Sequence, residues 1–146
     1  MKVLSLIVYL ILLTFFSHTD GNSTSQHGIL EIQGQSIFVE TVRTPKELRL
    51  GLMHRKNLDL NSGMLFIYPK PRIACMWMKN TNIPLSVLFV DSNFTITSIE
   101  HMTPNTETPH CSVKPVRYSL EVNQSWIKLN DITPNHKVRG IDFFLP

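Results

Sequence analysis

The chain has 146 residues, with 14 basic and 11 acidic side chains and a formal net charge of +3 at pH 7. So small an excess, scattered without a basic stripe, does not give the electrostatic footprint of a nucleic-acid-binding protein. A chain of this length has room for one domain with one modest hydrophobic core. We therefore expect a single small domain and no nucleic-acid partner.

The N-terminus has the pattern of an export signal. A short positive start precedes residues 3–16, which are almost wholly apolar. This run is shorter than the roughly 20 residues that a membrane-spanning helix needs, and it has the length of a signal-peptide core. We predict a signal peptide over residues 1–21, a flexible leader over 22–28 and one domain over 29–146. Cleavage would leave a periplasmic or secreted protein without stable membrane insertion; an uncleaved N-terminal anchor is the alternative.

Strand patterns dominate the rest of the chain. Period-two alternation and short apolar runs predict strands over residues 29–33, 36–42, 64–68, 73–79, 85–90, 94–99, 116–122 and 137–145. We expect Pro69 and Pro71 to end the strand at 64–68, because proline cannot donate a hydrogen bond to a sheet. The clearest hairpin joins 85–90 to 94–99. The pattern predicts a mainly β (α+β) fold with an antiparallel sheet and one or two short helices.

The clearest helix signal is a capping box. Thr44 and Glu47 flank a proline at the first helical position, which predicts a helix over residues 45–54. Gly51 falls inside this pattern, where glycine costs about 1 kcal/mol relative to alanine. We infer that another part of the backbone passes close to Gly51. A second, shorter helix is predicted over residues 123–129.

Cys75 and Cys111 are the two cysteines of the chain. An even count in an exported protein favours a disulfide, which would stabilise the fold by roughly 4 kcal/mol in the chain-entropy model. Two unpaired thiols are the alternative, with Cys75 as a small buried hydrophobe in a strand. The apolar neighbours of Cys75 argue against a catalytic role.

One stretch concentrates mixed polar and aromatic side chains, Trp77, Lys79, Asn80 and Thr81. It is followed later by a proline-rich segment over 102–115, which we interpret as a long loop or flap; such loops are often functional. A few converging polar groups beside apolar walls are typical of a ligand pocket. The predicted ligand-binding residues are Arg55, Trp77, Lys79, Asn80, Thr81 and Glu121.

A purely structural role for this stretch is the alternative. Asn80 and Thr81 belong to residue types that commonly satisfy backbone groups within a turn. In that case, we expect Lys79 to pair with Glu121 or Asp91.

Known catalytic and metal-binding patterns are missing from the sequence. A metal site would need His101, His110 and Cys111 to converge, since no histidine pair has metal-ligand spacing. There is no G-x-S-x-G motif, no phosphate-binding glycine loop and no pair of neighbouring carboxylates of glycosidase type. We therefore assign no catalytic residue, no metal and no cofactor.

The motifs nevertheless form a recognisable set. In chain order they are Gly51-Leu52-Met53 with Arg55, Gly63-Met64-Leu65-Phe66, Trp77-Met78-Lys79-Asn80-Thr81 with Ile83-Pro84-Leu85, Leu88-Phe89-Val90-Asp91 and Tyr118-Ser119-Leu120-Glu121. Over residues 37–143 the chain resembles the domain of unknown function 192 family. The resemblance implies a compact, mainly β, barrel-like domain, often exported and prokaryotic, without an established activity. Ser86 stands where the family usually has an aspartate, so no acid or metal role is carried over to it.

These observations favour a non-enzymatic module of the cell envelope that binds a small polar ligand, either sugar-like or anionic. The ligand would bind at the segment Lys79–Thr81, at the edge of the domain, and would be flanked by Arg55 and the flap over residues 102–115. An enzyme of unrecognised type, with Lys79 or Glu121 as acid/base, is the second hypothesis. An accessory protein that binds other envelope proteins is the third, and it predicts an exposed apolar patch.

Overall fold

The computed structural model describes residues 25–146, so the predicted signal peptide and the start of the leader lie outside the described residues. The strands are β1 (His27–Ile32), β2 (Gln35–Val42), β3 (Ser62–Arg72), β4 (Cys75–Met76), β5 (Leu85–Val90), β6 (Ile96–Met102), β7 (His110–Cys111), β8 (Val116–Asn123) and β9 (Val138–Arg139). The helices are α1 (Pro45–Leu50), α2 (Gln124–Leu129) and a 3₁₀ turn (Ile141–Phe144). No helix in this described range has the length and apolar character that crossing a membrane requires.

Seven of the strands form one curled sheet in the order β6-β5-β8-β3-β2-β1-β9, and β4 pairs with β7 in a small second sheet. Neighbouring strands are antiparallel except for the parallel pair β2 and β3. The two edges of the large sheet meet, because Ile96 N–H donates to the His136 carbonyl at 3.0 Å and Val138 N–H donates to the Phe94 carbonyl at 2.8 Å. The predicted mainly β, antiparallel, barrel-like fold with two short helices is therefore confirmed.

Both faces of the sheet are covered. The inner face carries one cluster of buried residues, including Leu88, Leu120 and Trp126, the last contributed by α2. The outer face carries a second cluster that includes Phe66 and Phe89. Every residue of β5 is buried, Ser86 included, as expected for a central strand that is covered on both faces. Polar side chains of the central strands that point to the outer face are consequently buried as well.

Helix α1 begins as predicted and ends early. Thr44 accepts a hydrogen bond from Glu47 N–H, and the Glu47 side chain accepts from Thr44 N–H, so the capping box is complete. The helix was predicted to reach residue 54, but it stops at Leu50 because Gly51 adopts φ 48° and ψ −133°. Only glycine adopts such a conformation readily, so Gly51 ends the helix instead of lying within it.

Several predicted strand bounds are wrong, and three strands differ most from the prediction. β3 runs through both prolines to Arg72 with a register shift after Ile67, and its pairing with β2 ends at Phe66. No β2 partner therefore faces Pro69 or Pro71, so their missing N–H groups cost the sheet little on that side. The strand expected at 73–79 is reduced to β4, because the chain turns after Trp77. The last strand is only two residues long, since Gly140 takes φ 89° and a 3₁₀ turn follows.

Candidate functional site

A cavity of about 210 Å³ lies between the end of α1 and the segment around β4. Most of its lining residues are apolar, and Arg49, Thr81 and Glu121 add polar groups, a combination that is usual for ligand sites. Its lining residues are Leu48, Arg49, Leu50, Gly51, Leu52, Met53, Phe66, Cys75, Met76, Trp77, Thr81 and Glu121. The predicted site residues Trp77, Thr81 and Glu121 thus come together in one place.

Glu121 is the most unusual group in this cavity. It lies on the central strand β8, opposite Met64 of β3 and Val87 of β5, and it is 4% exposed. Burial, which disfavours the charged form, raises the pKa of its carboxyl group from 4.5 to about 8. Within residues 25–146, no hydrogen-bond donor or cation reaches this carboxyl group to offset the loss of water. At neutral pH the group is therefore mostly protonated, and it can donate one hydrogen bond and accept others.

Gly51 leaves the space above this carboxyl group open. A Cβ atom at this position would lie 3.1 Å from Phe66 Cζ and 3.9 Å from Glu121 Oε2. The sequence indicated a close neighbour at Gly51, and that neighbour is a pair of side chains rather than a backbone. The sequence does not reveal that Gly51 lines a cavity, because its position predicts an interior helix residue.

The residues after Trp77 form a tight turn. Thr81 N–H donates to the Met78 carbonyl at 3.1 Å, and Thr81 Oγ1 donates to the Lys79 carbonyl at 3.1 Å. Asn80 takes φ 53°, is exposed, and accepts a hydrogen bond from His54 N–H at 2.8 Å through its carbonyl. Asn80 and Thr81 therefore have the turn-forming role of the structural alternative, while Thr81 also lines the cavity.

Trp77 and Lys79 lie at the outer edge of this region. Trp77 is 45% exposed, and the Lys79 Nζ atom lies 5.6 Å from the centre of its ring. Lys79 Nζ also lies 3.2 Å from Glu107 Oε1 of the predicted flap. The expected pairing of Lys79 with Glu121 or Asp91 is thus wrong, because Lys79 faces the flap and is not among the residues that line the cavity.

The flap is tied to the cavity wall at several points. The sulfur atoms of Cys75 and Cys111 are 2.08 Å apart, at disulfide distance, and the two residues face each other across β4 and β7. Met78 N–H donates to the Thr106 carbonyl at 2.9 Å. Of the two possibilities for the cysteines, the structure has the bridged one. The bridge holds the strand that carries Met76 and leads into Trp77.

Arg55 lies apart from the other predicted site residues. Its guanidinium group pairs with Glu40 at 2.7 Å and borders a different cavity, of about 510 Å³, beside β1 and β2. Arg55 is absent from the wall around Glu121, so the two do not share one cavity.

The residues considered for a metal site have other partners. Cys111 is bridged, His101 Nδ1 lies 2.7 Å from Ser86 Oγ, and His110 Nδ1 lies 3.7 Å from Glu100 Oε2. In the described part of the chain, no three His, Cys, Asp or Glu side chains group in a way that could hold a metal ion.

Comparisons with known proteins identify the family. The sequence profile of the domain of unknown function 192 family, described as uncharacterised ACR, matches residues 28–140. The crystal structure of a candidate transcription regulator from Sinorhizobium meliloti 1021 is similar with a TM-score of 0.76 and 32% identity, covering 80% of this chain and 95% of that one. A protein of unknown function from Novosphingobium aromaticivorans is similar with a TM-score of 0.75 and 31% identity, covering 82% and 89%. No curated protein matches. The chain therefore belongs to the domain of unknown function 192 family.

Proposed function

We propose that this protein is an exported, non-enzymatic module that binds a small polar, sugar-like ligand in the cavity at Glu121. The observation that carries the proposal is a buried carboxyl group that faces a cavity and has no partner in the described chain. Such a group costs folding free energy unless something satisfies it. A ligand hydroxyl group both donates and accepts, and so matches a protonated carboxyl group.

The remaining walls suit a sugar ring. The half-exposed Trp77 offers a flat apolar face for the C–H side of a ring, and Leu48 and Met76 add apolar surface. The cavity of about 210 Å³ is smaller than the roughly 300–1,000 Å³ of drug-sized sites. This volume favours a single ring, or one end of a longer molecule.

Two features support an envelope location. Residues 3–16 have the length and apolar character of a signal-peptide core. Cys75 and Cys111 are at disulfide distance, and disulfides persist mainly in oxidising compartments.

The test is a thermal-shift screen of the purified protein with neutral monosaccharides, followed by titration calorimetry of any that bind. Saturation at 100 times Kd stabilises a protein by about 2.7 kcal/mol, which is a shift of several degrees in a domain of this size. Glu121→Leu removes both the donor and the acceptor, and we expect it to weaken binding about tenfold or more. Glu31→Leu makes the same change beside a different cavity and serves as the control. The proposal fails if no sugar raises the melting temperature, or if the two variants weaken binding equally.

Acid/base catalysis by Glu121 is the second candidate. A pKa of about 8 puts this group in the range where a general acid or base works at neutral pH. Lys79, the other residue predicted for this role, is paired with Glu107 and does not line the cavity. Recovery of a bound sugar unchanged after prolonged incubation with the protein would argue against catalysis.

A further inference from the structure

A third cavity, of about 740 Å³, adjoins the one at Glu121. The two share Leu48 and Arg49 of α1 and Cys75 and Met76 of β4 in their walls. The two cavities therefore lie side by side along α1 and β4.

The walls of this third cavity are basic. They include Arg43, Arg49 and Arg72 and contain no aspartate or glutamate. Neither Arg49 nor Arg72 forms an ion pair with any residue in the 25–146 range. The acid of α1, Glu47, directs its carboxylate to the backbone N–H groups of Arg43 and Thr44.

Two of the arginines are held in place by contacts with neutral groups. The Arg72 guanidinium lies 5.6 Å from the centre of the Tyr68 ring. Arg43 Nη2 donates to the Gln26 side chain at 2.9 Å and to the Phe144 carbonyl. These neutral partners orient the guanidinium groups without neutralising them. Such groups bind phosphate and carboxylate through paired, charge-assisted hydrogen bonds.

We propose that the arginine-lined cavity binds the anionic group of the ligand whose hydroxyl groups contact Glu121, so that the ligand is a phosphorylated or carboxylated sugar. This inference rests on the proposed function for the sugar part and on Arg43, Arg49 and Arg72 for the anion. Protonated Glu121 does not repel an anionic ligand, whereas an ionised Glu121 carboxylate would.

The test compares glucose, glucose 6-phosphate, glucuronate and inorganic phosphate by titration calorimetry. The protein is used as the wild type and as the Arg49→Gln/Arg72→Gln variant, which leaves the half-buried Arg43 intact. Lys137→Gln/Arg139→Gln removes the same charge beside a different cavity and is the matched control. We expect one of the two anionic sugars to bind at least tenfold more tightly than glucose. That gain should disappear in the arginine variant, persist in the control and decrease with added salt.

The outcomes separate the two proposals. If glucose binds and neither anionic group adds affinity, the anion site is refuted and the sugar site stands. The same conclusion follows if the arginine variant and the control lose the added affinity of the anionic sugar equally. If inorganic phosphate binds only where the arginines are intact and no neutral sugar binds, the anion site is upheld and the sugar-binding function fails. The preference between glucose 6-phosphate and glucuronate tells a phosphate ligand from a carboxylate ligand.

Discussion

Replacing Glu121 by glutamine should change how the stability of the protein depends on pH. Burial raises the pKa of this carboxyl group in the folded protein from 4.5 to about 8. Between these values the folded state keeps the proton that the unfolded state has released. The free energy of unfolding of the wild type must therefore fall as the pH rises from about 4.5 through about 8. A shift of this size corresponds to a loss on the order of 5 kcal/mol at full ionisation. The amide in the Glu121→Gln variant does not titrate, so the variant lacks this loss.

Urea denaturation followed by tryptophan fluorescence at pH 5, 6, 7, 8 and 9 measures the effect. At pH 5 both side chains are neutral in the folded state and of similar shape, so we expect the stabilities of the two proteins to differ by less than about 1 kcal/mol. At pH 9 the Glu121→Gln variant should be more stable by several kcal/mol. Glu107→Gln, at an exposed glutamate, should follow the wild type throughout. Parallel curves for the wild type and Glu121→Gln would show that the carboxyl group is not buried as described.

Three further substitutions test the packing around the site. Gly51→Ala should destabilise the fold by about 1–3 kcal/mol in urea denaturation, because it forces an unfavourable backbone conformation and crowds Phe66; an unchanged denaturation midpoint would contradict this. Replacing Cys75 and Cys111 together by serine should cost about 4 kcal/mol, and the variant should match the wild type measured with reductant. Trp126→Ala should cost about 3–5 kcal/mol in the same assay, because Trp126 is 1% exposed and packs inside the barrel; a loss below about 1 kcal/mol would refute that packing.

The local patterns of the sequence were sufficient to predict many elements of the fold. Alternation in β8 placed Tyr118, Leu120 and Val122 on one face, and these residues belong to the inner cluster. The hairpin of β5 and β6 and the start of α1 were also predicted, since turns and caps depend on residues close in sequence. The sequence does not predict that β3 continues through Pro69 and Pro71. The free-energy cost of a proline in a strand depends on whether a neighbouring strand needs its missing N–H group, and that neighbour is distant in sequence. The parallel pairing of β2 with β3 is likewise a relation between distant segments.

The candidate site was only partly predictable for the same reason. The sequence led to Trp77 and Thr81 through their unusual composition. It placed Glu121 on the face of β8 opposite the inner core, which in a sheet covered on one side only would be exposed. The structure covers that face with distant segments, including Leu52 and Met78, which belong to the outer cluster. The burial of Glu121 results from that cover, and no pattern within β8 indicates it.

The position of Glu121 is difficult to explain as a requirement of the fold alone. A leucine on β8 would occupy the same place without the cost of an unpartnered polar group, and a larger residue than Gly51 would fill part of the space above it. The chain instead combines a buried acid, a residue without a side chain over it, and a wall held by the bridge between Cys75 and Cys111. Local choices that oppose stability and have no compensation in the fold are typical of functional sites. A ligand that hydrogen-bonds to Glu121 would supply the missing compensation, and for this reason the cavity, rather than the exposed Lys79, is where binding should be tested first.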